Sequence, residues 1–467
     1  MKPLPLNVQT FRKIIAGNYL YIDKTDEIAK LLQSPDGYYF LSRPRRFGKS
    51  LLISILEELF KGNQELFKGL YIYDKIEWKT HPVARIDFSK LTYKDGEELE
   101  KALLAHFDAI AKEYELSLVK PQMKERWAEL IAKLYEKTQM PVVLLIDEYD
   151  APINSFIDQP LILKDIQEVI REFYKTTKAL DEYWRFVFVT GITKYAKLSL
   201  FSAINNITDI SIHPRYHAIL GISVADLEVY FKDSLMALEE KFDMSREALL
   251  EYIRWWYNGY SWNGQDKFCN PYSLLHLFDR LQFKNHWFTT GTPSLLIQQI
   301  KKPNQSVANY EQIKVSESAF ESFEVEDMPL ESLLWQTGYL TIVKIKESIE
   351  ETQYTLSFPN NEVRVSFVKH ILATYTNYNL NRVEPDAKRL KRYLLEENLD
   401  GFIRLLQRFI GGIPSKLHIQ HEFYYHSLFY MILTLVGVKL RLEERYYKGD
   451  VDGVLEFKGK VYIIEFK

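Results

Sequence analysis

The sequence predicts an α/β protein whose first half is a three-layer fold built on a parallel sheet. Three observations carry that expectation: short apolar runs, helical periodicities set between them, and the unbroken run Val142-Val143-Leu144-Leu145-Ile146. A strand that is apolar at every position is covered on both faces, as the crossover helices of a parallel sheet require. The elements follow in order. Tyr38-Tyr39-Phe40-Leu41 is a first short strand, and Ser50 to Phe60 has helical periodicity. Val83 to Phe88 reads as a strand, and Glu97 to Tyr114 and Lys124 to Lys137 as helices. After Val142 to Ile146 come two more strands, Arg185 to Thr190 and Ile207 to Ile212. Strands separated by helices argue for parallel pairing.

Beyond about Leu220 the pattern changes. Asp226 to Leu281 reads as mostly helical, with Asn270-Pro271 as an N-cap followed by proline in the first turn. Leu330 to Phe367 gives a helix and two strand-like runs, Tyr339 to Ile345 and Tyr354 to Phe358, compatible with a winged-helix-like module. Ala387 to Ile410 is helical, Gly411-Gly412-Ile413-Pro414 breaks it, and from Glu422 onward a long helix precedes a β-hairpin. The expected domains are 1–225, 226–300, 301–375 and 376–467, in keeping with about two to four domains for 467 residues.

Composition narrows the function classes. Lys and Arg number 60 against 63 Asp and Glu, for a net charge of -3, so any contact with DNA or RNA must use local patches. The single cysteine, Cys269, excludes an intramolecular disulfide and a cysteine metal cluster, and it suits a reducing cytoplasm as a buried structural thiol. The start, Met1-Lys2-Pro3-Leu4-Pro5-Leu6, lacks the apolar run of a secretory signal. The longest apolar stretch, Phe429 to Val438, falls short of the ~20 residues of a membrane span.

Between the first strand and its helix lies Arg43-Pro44-Arg45-Arg46-Phe47-Gly48-Lys49-Ser50. That is where a phosphate-binding loop (P-loop) belongs, because free N–H groups and the helix dipole favour an anion there. The stretch Arg45, Arg46, Phe47, Gly48, Lys49, Ser50 and Leu51 would hold ATP. Lys49 would reach the β- and γ-phosphates, and the Ser50 hydroxyl would ligate Mg²⁺. Arg43 replaces the usual first glycine and Pro44 removes an N–H donor, so Arg45 or Arg46 would supply charge in place of the lost amides. The plainer reading is a basic loop capping a helix. Val142 to Ile146, however, ends in Asp147-Glu148, as a Walker B strand does. Asp147 would hold the Mg²⁺ shell, and Glu148 would polarise the attacking water. Thr190, ending the next strand, would lie beside these acids and bond the water or γ-phosphate, or else be satisfied in its own turn.

The tail offers a second candidate site. Val451 to Phe457 and Val461 to Lys467 read as a hairpin, with Val461, Ile463, Glu465 and Lys467 on one face. A two-residue turn at Gly459-Lys460 pairs Asp452 with Lys467 and Val454 with Glu465, gathering Asp452, Glu465 and Lys467. A three-residue turn would put Asp452 on the other face. Glycine in first place favours the two-residue type II′ turn. Two carboxylates with a neighbouring lysine can hold a divalent cation and activate water against a phosphodiester. Glu422 is a candidate third carboxylate, and Asp450 a weaker one. The alternative is a salt-bridged hairpin face.

Together these residues resemble the predicted AAA-ATPase-like family, whose members commonly carry a C-terminal nuclease-like domain of the PD-(D/E)XK superfamily. The resemblance rests on Tyr21-Ile22-Asp23-Lys24-Thr25, the Arg43 to Ser50 loop, Leu145-Ile146-Asp147-Glu148-Tyr149-Asp150 and Thr190-Gly191-Ile192-Thr193-Lys194. It extends to Leu200-Phe201-Ser202-Ala203-Ile204-Asn205-Asn206 and Tyr257-Asn258-Gly259-Tyr260. It implies a P-loop NTPase domain followed by helical and winged-helix-like regions and a partial PD-(D/E)XK α/β tail. It also implies ATP and Mg²⁺ as cofactors, with Lys49 and Ser50 on phosphate and metal and Asp147 and Glu148 as the Walker B pair. Asp23 and Lys24 would lie near the nucleotide. Glu422, Asp452 and Glu465 would be metal ligands of the tail, with Asp452, Glu465 and Lys467 catalytic. The nuclease pattern normally continues past the residue matched by Lys467. The expectation is therefore an ATPase coupled to a nuclease-like module acting on DNA or RNA, cytoplasmic, with oligomerisation open. The alternatives are a nucleotide-binding switch with an inactive tail, and a scaffold that merely binds nucleotide.

Overall fold

Gly37–Ser42 (β1), Val83–Asp87 (β2), Val142–Asp147 (β3), Trp184–Gly191 (β4) and Thr208–Asp209 (β5) form one sheet in the order β2-β3-β4-β1-β5. Every pairing in it is parallel, as the sequence predicts. The computed structural model describes residues 2–33, 37–195, 207–287, 312–321, 323, 328–376, 380–411, 429, 431–437, 439–446 and 449–464. β1 and β3 are buried at every position, and the stretch expected as a fifth strand contributes only two residues. The order places β4 between β1 and β3, so the loop after β1 and the acids after β3 share the sheet's carboxyl edge. Ligands bind at that edge in open α/β sheets.

Helices cover both faces. Phe11–Ala16 (α1), Thr25–Leu31 (α2) and Lys49–Phe60 (α3) lie on one side, where Leu52, Ile53 and Leu56 of α3 pack with Tyr39, Leu41, Phe186 and Phe188. Gly96–Glu113 (α4), Met123–Thr138 (α5), Ala151–Phe156 (α6) and Pro160–Ala179 (α7) follow. α4, α5 and α7 pack on one another around Phe107, Trp127 and Phe173, with ring centroids 4.8 Å and 5.2 Å from Trp127. Trp127 is fully buried, and its indole N–H donates to Thr177 Oγ1 at 3.1 Å. Each such ring contributes about 2–3 kcal/mol by burial alone.

By compactness the chain divides into two units, Met1–Phe283 with Val315–Tyr354, and Lys284–Lys314 with Thr355–Lys467. In the first unit the predicted helices appear as Val224–Tyr230, Lys232–Phe242, Arg246–Tyr257 and Pro271–Arg280. Asn270 caps the last of these as expected, its side-chain oxygen accepting from Tyr272 N–H at 3.0 Å with Pro271 in the first turn. The sequence did not announce a small antiparallel sheet among them: Ile222–Ser223 (β6), Asn258–Tyr260 (β7) and Phe268–Cys269 (β8), in the order β6-β8-β7. Strands of two or three residues have no periodicity to read. Cys269 is a buried thiol, as expected, with its Sγ 3.8 Å from Asn258 Oδ1. Leu330–Thr337 precedes strands Thr341–Glu347 and Thr352–Ser357, matching the helix–strand–strand order. That order alone does not make a winged helix.

The second unit has helices Asn361–Thr376, Leu380–Leu395 and Leu399–Gly411 and a three-stranded antiparallel sheet of Lys439–Tyr446, Gly449–Phe457 and Lys460–Ile464. The expected hairpin is thus the second half of a meander, and its turn differs from the expectation. Phe457 pairs with Lys460, so the turn residues are Lys458 and Gly459, at φ 47° and 79°. Two positive φ values define a type I′ turn, whose twist suits a hairpin. The register therefore moves by two positions, and Val454 faces Ile463 instead of Glu465. Among the described residues no helix is long and apolar enough to cross a membrane.

Candidate functional site

The candidate phosphate loop begins as an extension of the sheet, where Arg43 N–H donates to the Gly191 carbonyl at 3.2 Å. It then turns through two left-handed residues, Arg46 at φ 67° and Gly48 at φ 96°. Gly48 is the N-cap of α3; an added Cβ would meet only Leu220 Cδ2, at 3.7 Å, so backbone angle and not space favours glycine there. Among the described residues no side chain caps α3, which leaves the first-turn amides of a twelve-residue helix open to an anion. Lys49 is 4% exposed. Its ammonium donates to the carbonyls of Arg43 at 3.2 Å and Pro44 at 3.5 Å and stands 3.7 Å from Glu148 Oε1. The two motifs read from the sequence therefore meet.

Asp147, the last residue of β3, is fully buried. One carboxylate oxygen accepts from Glu148 N–H at 3.1 Å; the other, Oδ2, has no hydrogen-bond partner among the described residues. Burial pushes its pKa up, with the nearby Ser50 hydroxyl opposing the rise, Asp87 adding to it and Lys49 opposing it. Ser50 and Asp147 are thus neighbours. Glu148 sits at φ 49°, an uncommon angle for a side chain of this size. Burial raises its pKa, Lys49 pulls it down, and Asp150 and Asp147 push it up again. An orphaned buried oxygen beside a hydroxyl suits Mg²⁺, which takes one or two protein ligands and completes its shell with water and phosphate. Among the described residues no three His, Cys, Asp or Glu side chains converge, so a site with more carboxylates is not built there.

Other predicted residues are placed differently. Thr190 is fully buried, and its hydroxyl donates to the Leu41 carbonyl at 2.7 Å, bracing β4 on β1. Asp23 accepts from Thr25 N–H and its hydroxyl at 2.9 Å and 2.7 Å in a local turn, and from Tyr71 N–H of a later turn at 2.7 Å, which together occupy the carboxylate. The Lys24 ammonium pairs with Asp226 at 2.9 Å. Arg45 is near enough to lower the pKa of Glu148, whereas Arg46 is exposed, with its guanidinium 4.8 Å from the Tyr272 ring centroid. Phe47 is buried edge-on against Tyr260 and Trp262. Leu51 lines an apolar cleft beside the loop, about 730 Å³ including its open mouth, with Leu20, Tyr21, Ile22 and Leu220. Lys24 lines it too.

Asp150 escaped the sequence reading. It is fully buried and accepts from Thr193 N–H at 2.9 Å, the Thr193 hydroxyl at 2.6 Å and Ile192 N–H at 3.2 Å, tying the end of β3 to that of β4. Gly191 lies against this knot: an added Cβ would stand 2.4 Å from Asp150 Oδ1 and 2.5 Å from the Tyr149 ring. The signal was present in Asp147-Glu148-Tyr149-Asp150, where a second acid beyond the Walker B pair follows the strand. In the tail, Asp450 and Asp452 lie on the middle strand of the meander. Glu422, Glu465 and Lys467, like Leu200 to Asn206, lie outside the described residues.

A family model described as a predicted AAA-ATPase matches residues 5–201, which span the loop, the acids and β4. A protein described as uncharacterized, from the vnfD 5′ region of Azotobacter chroococcum mcd 1, is 35% identical over 473 residues, taking in all of this chain and 89% of that protein. No solved structure matches the chain.

Proposed function

We propose that the chain, whose residues 5–201 match a predicted AAA-ATPase family, binds ATP with Mg²⁺ at the Arg43 to Ser50 loop and hydrolyses it beside Glu148. The observation that carries the reading is the meeting of Ser50 with a buried Asp147 whose Oδ2 is unpartnered, next to the Lys49–Glu148 pair. The first-turn amides of α3 and the Lys49 ammonium grip the phosphates. Lys49 spends two of its three donors on neutral carbonyls, which a phosphate oxygen outcompetes because its hydrogen bonds are charge-assisted. Ser50 and Asp147 would hold Mg²⁺, which when bound offsets the charge developing on the phosphate oxygens. Glu148 orients water and takes up its proton. Its raised pKa makes it a better base than an ordinary glutamate. The apolar cleft at Leu51 and Leu220 receives the base.

The test is ATP turnover and ATP binding measured on the wild type and Lys49→Ala, each with and without nucleic acid. The expected result is binding and turnover in the wild type and loss of turnover in the variant. Full turnover in Lys49→Ala overturns the assignment. The reading extends to the tail as a metal-dependent nuclease-like module. Its support is the antiparallel sheet that carries Asp452 on its middle strand, together with the family resemblance.

A further inference from the structure

The phosphate loop is braced from outside by residues far downstream in the chain. Asn270 Nδ2 donates to the Arg45 carbonyl at 3.2 Å, and Phe47 is wedged edge-on between Tyr260 and Trp262. Pro44 lies so close to Gly338 that an added Cβ there would stand 2.5 Å away. The strongest of these braces is Arg43. Its side chain is 1% exposed, and one terminal nitrogen donates to the carbonyls of Ser42 at 2.9 Å and Ser211 at 2.7 Å. The guanidinium carbon lies 4.0 Å from the Trp262 ring centroid. Its Nε and other terminal nitrogen have no hydrogen-bond partner among the described residues, and burial pushes its pKa down to about 9 against the pull of Asp209.

Such a residue is a poor way to stabilise a fold. Two unsatisfied buried donors and a buried cation cost free energy, and an apolar side chain of similar volume would be neutral or better. What Arg43 does have is connection. Its carbonyl accepts from Lys49, its N–H continues the sheet, and its planar head joins β1, the segment after β5 and the turn between β7 and β8. A lysine could not replace it, having no flat face to stack on Trp262.

We propose that Arg43 is a positioning residue for nucleotide binding: stacked on Trp262 and bonded to Ser211, it sets the loop wall from which Lys49 reaches phosphate. This rests on the ATP-binding reading above. It makes grip on the nucleotide depend on the turn that carries Trp262, and through it on the helical segment behind.

The experiment is calorimetric titration of the full chain with ATP and Mg²⁺, together with melting temperatures, for Arg43→Met, Trp262→Leu, Trp262→Phe and the double variant Arg43→Met/Trp262→Leu. Titration stoichiometry reports the folded fraction, so the affinity is read on folded protein alone. Arg43→Met should bind ATP about tenfold more weakly without melting earlier, because the loop wall loses its placement while the fold loses no net stabilisation. Trp262→Leu should lose a similar factor, Trp262→Phe should recover most of it, and the double variant should be no worse than either single one. Equal affinity in Arg43→Met and the wild type, losses that multiply in the double variant, or an earlier melt with unchanged affinity would each overturn the proposal. If Arg43→Met does not fold, Arg43 is structural and the proposal also falls. A wild-type chain that binds neither ATP nor ADP is a different result, and it removes the nucleotide reading itself.

Discussion

The carboxyl edge of the parallel sheet and the meander of the second unit place their candidate residues by different means. In the sheet, Asp147 pairs with Asp87 on one side, and β4, itself paired to β1, flanks β3 on the other. Asp150 then locks the ends of β3 and β4 together. No single turn decides where Lys49, Ser50, Asp147 and Glu148 go, because strand burial and sheet order determine it several times over. In the meander one turn decides, and there Lys458 at φ 47° moved the register by two positions from the expected one. Sites at the ends of buried parallel strands tolerate errors of local reading. Sites that depend on a hairpin register tolerate an even shift, which keeps each residue on its face, but not an odd one.

The largest effects should separate the two regions. Lys49→Ala removes the charge that counters the phosphates, and ATP turnover should fall by about a thousandfold. On the proposed nuclease-like reading of the tail, Asp452→Ala should leave that turnover unchanged while abolishing Mn²⁺-dependent cleavage of plasmid DNA. Cleavage that persists in Asp452→Ala places the chemistry elsewhere, and cleavage lost in Lys49→Ala as well would make the two activities one.

Next in size is Glu148. In its proposed role as an anionic base, Glu148 loses activity as pH falls through its pKa, and burial has raised that pKa above the ordinary 4.5. The acid limb of kcat/KM should therefore lie above that value, and Glu148→Gln should lower kcat by about a hundredfold with ATP affinity retained. A limb at or below the ordinary glutamate value would mean that another group takes the proton.

How much of this was legible follows from the same contrast. The Arg43 to Ser50 loop and Asp147-Glu148 were readable because continuous apolar runs announce their strands. Thr190 and Asp23 were readable as polar residues near those ends, but the partners that occupy them were not: Leu41 O comes from the neighbouring strand and Tyr71 N–H from a later turn. The braces on the loop come from Tyr260, Trp262 and Asn270, whose nearness to Arg43 depends on tertiary packing that no local pattern carries. Lys439–Tyr446 alternates for only four residues before its acidic pair, so the third strand of the meander gave too short a signal.

Asp147 tests whether the site works against the fold. Burial raises its folded pKa, so its favourable contribution is complete below the unfolded value and is lost as pH rises through the folded one. At neutral pH the native state carries the cost of that charge. Asp147→Asn should then raise the melting temperature at pH 7.5 by about 2 °C, with the gain shrinking toward pH 4, while Mg²⁺-dependent turnover is lost. A lower melting temperature at pH 7.5 would show that the carboxylate is a structural partner.

The smallest effect is expected at Thr190, whose position beside the acids suggested a contact with the γ-phosphate. Its hydroxyl is bonded to Leu41 O inside the sheet, so Thr190→Val leaves that carbonyl without this donor and little else changed. Stability should fall by about 1 kcal/mol, read from denaturant unfolding, while kcat stays within about twofold of the wild type. A hundredfold loss of kcat with unchanged stability would instead assign the hydroxyl to the reaction. Turning it toward phosphate means breaking the bond to β1, so β4 would then be a moving part of the nucleotide site and no longer the fixed strand on which both motifs are set.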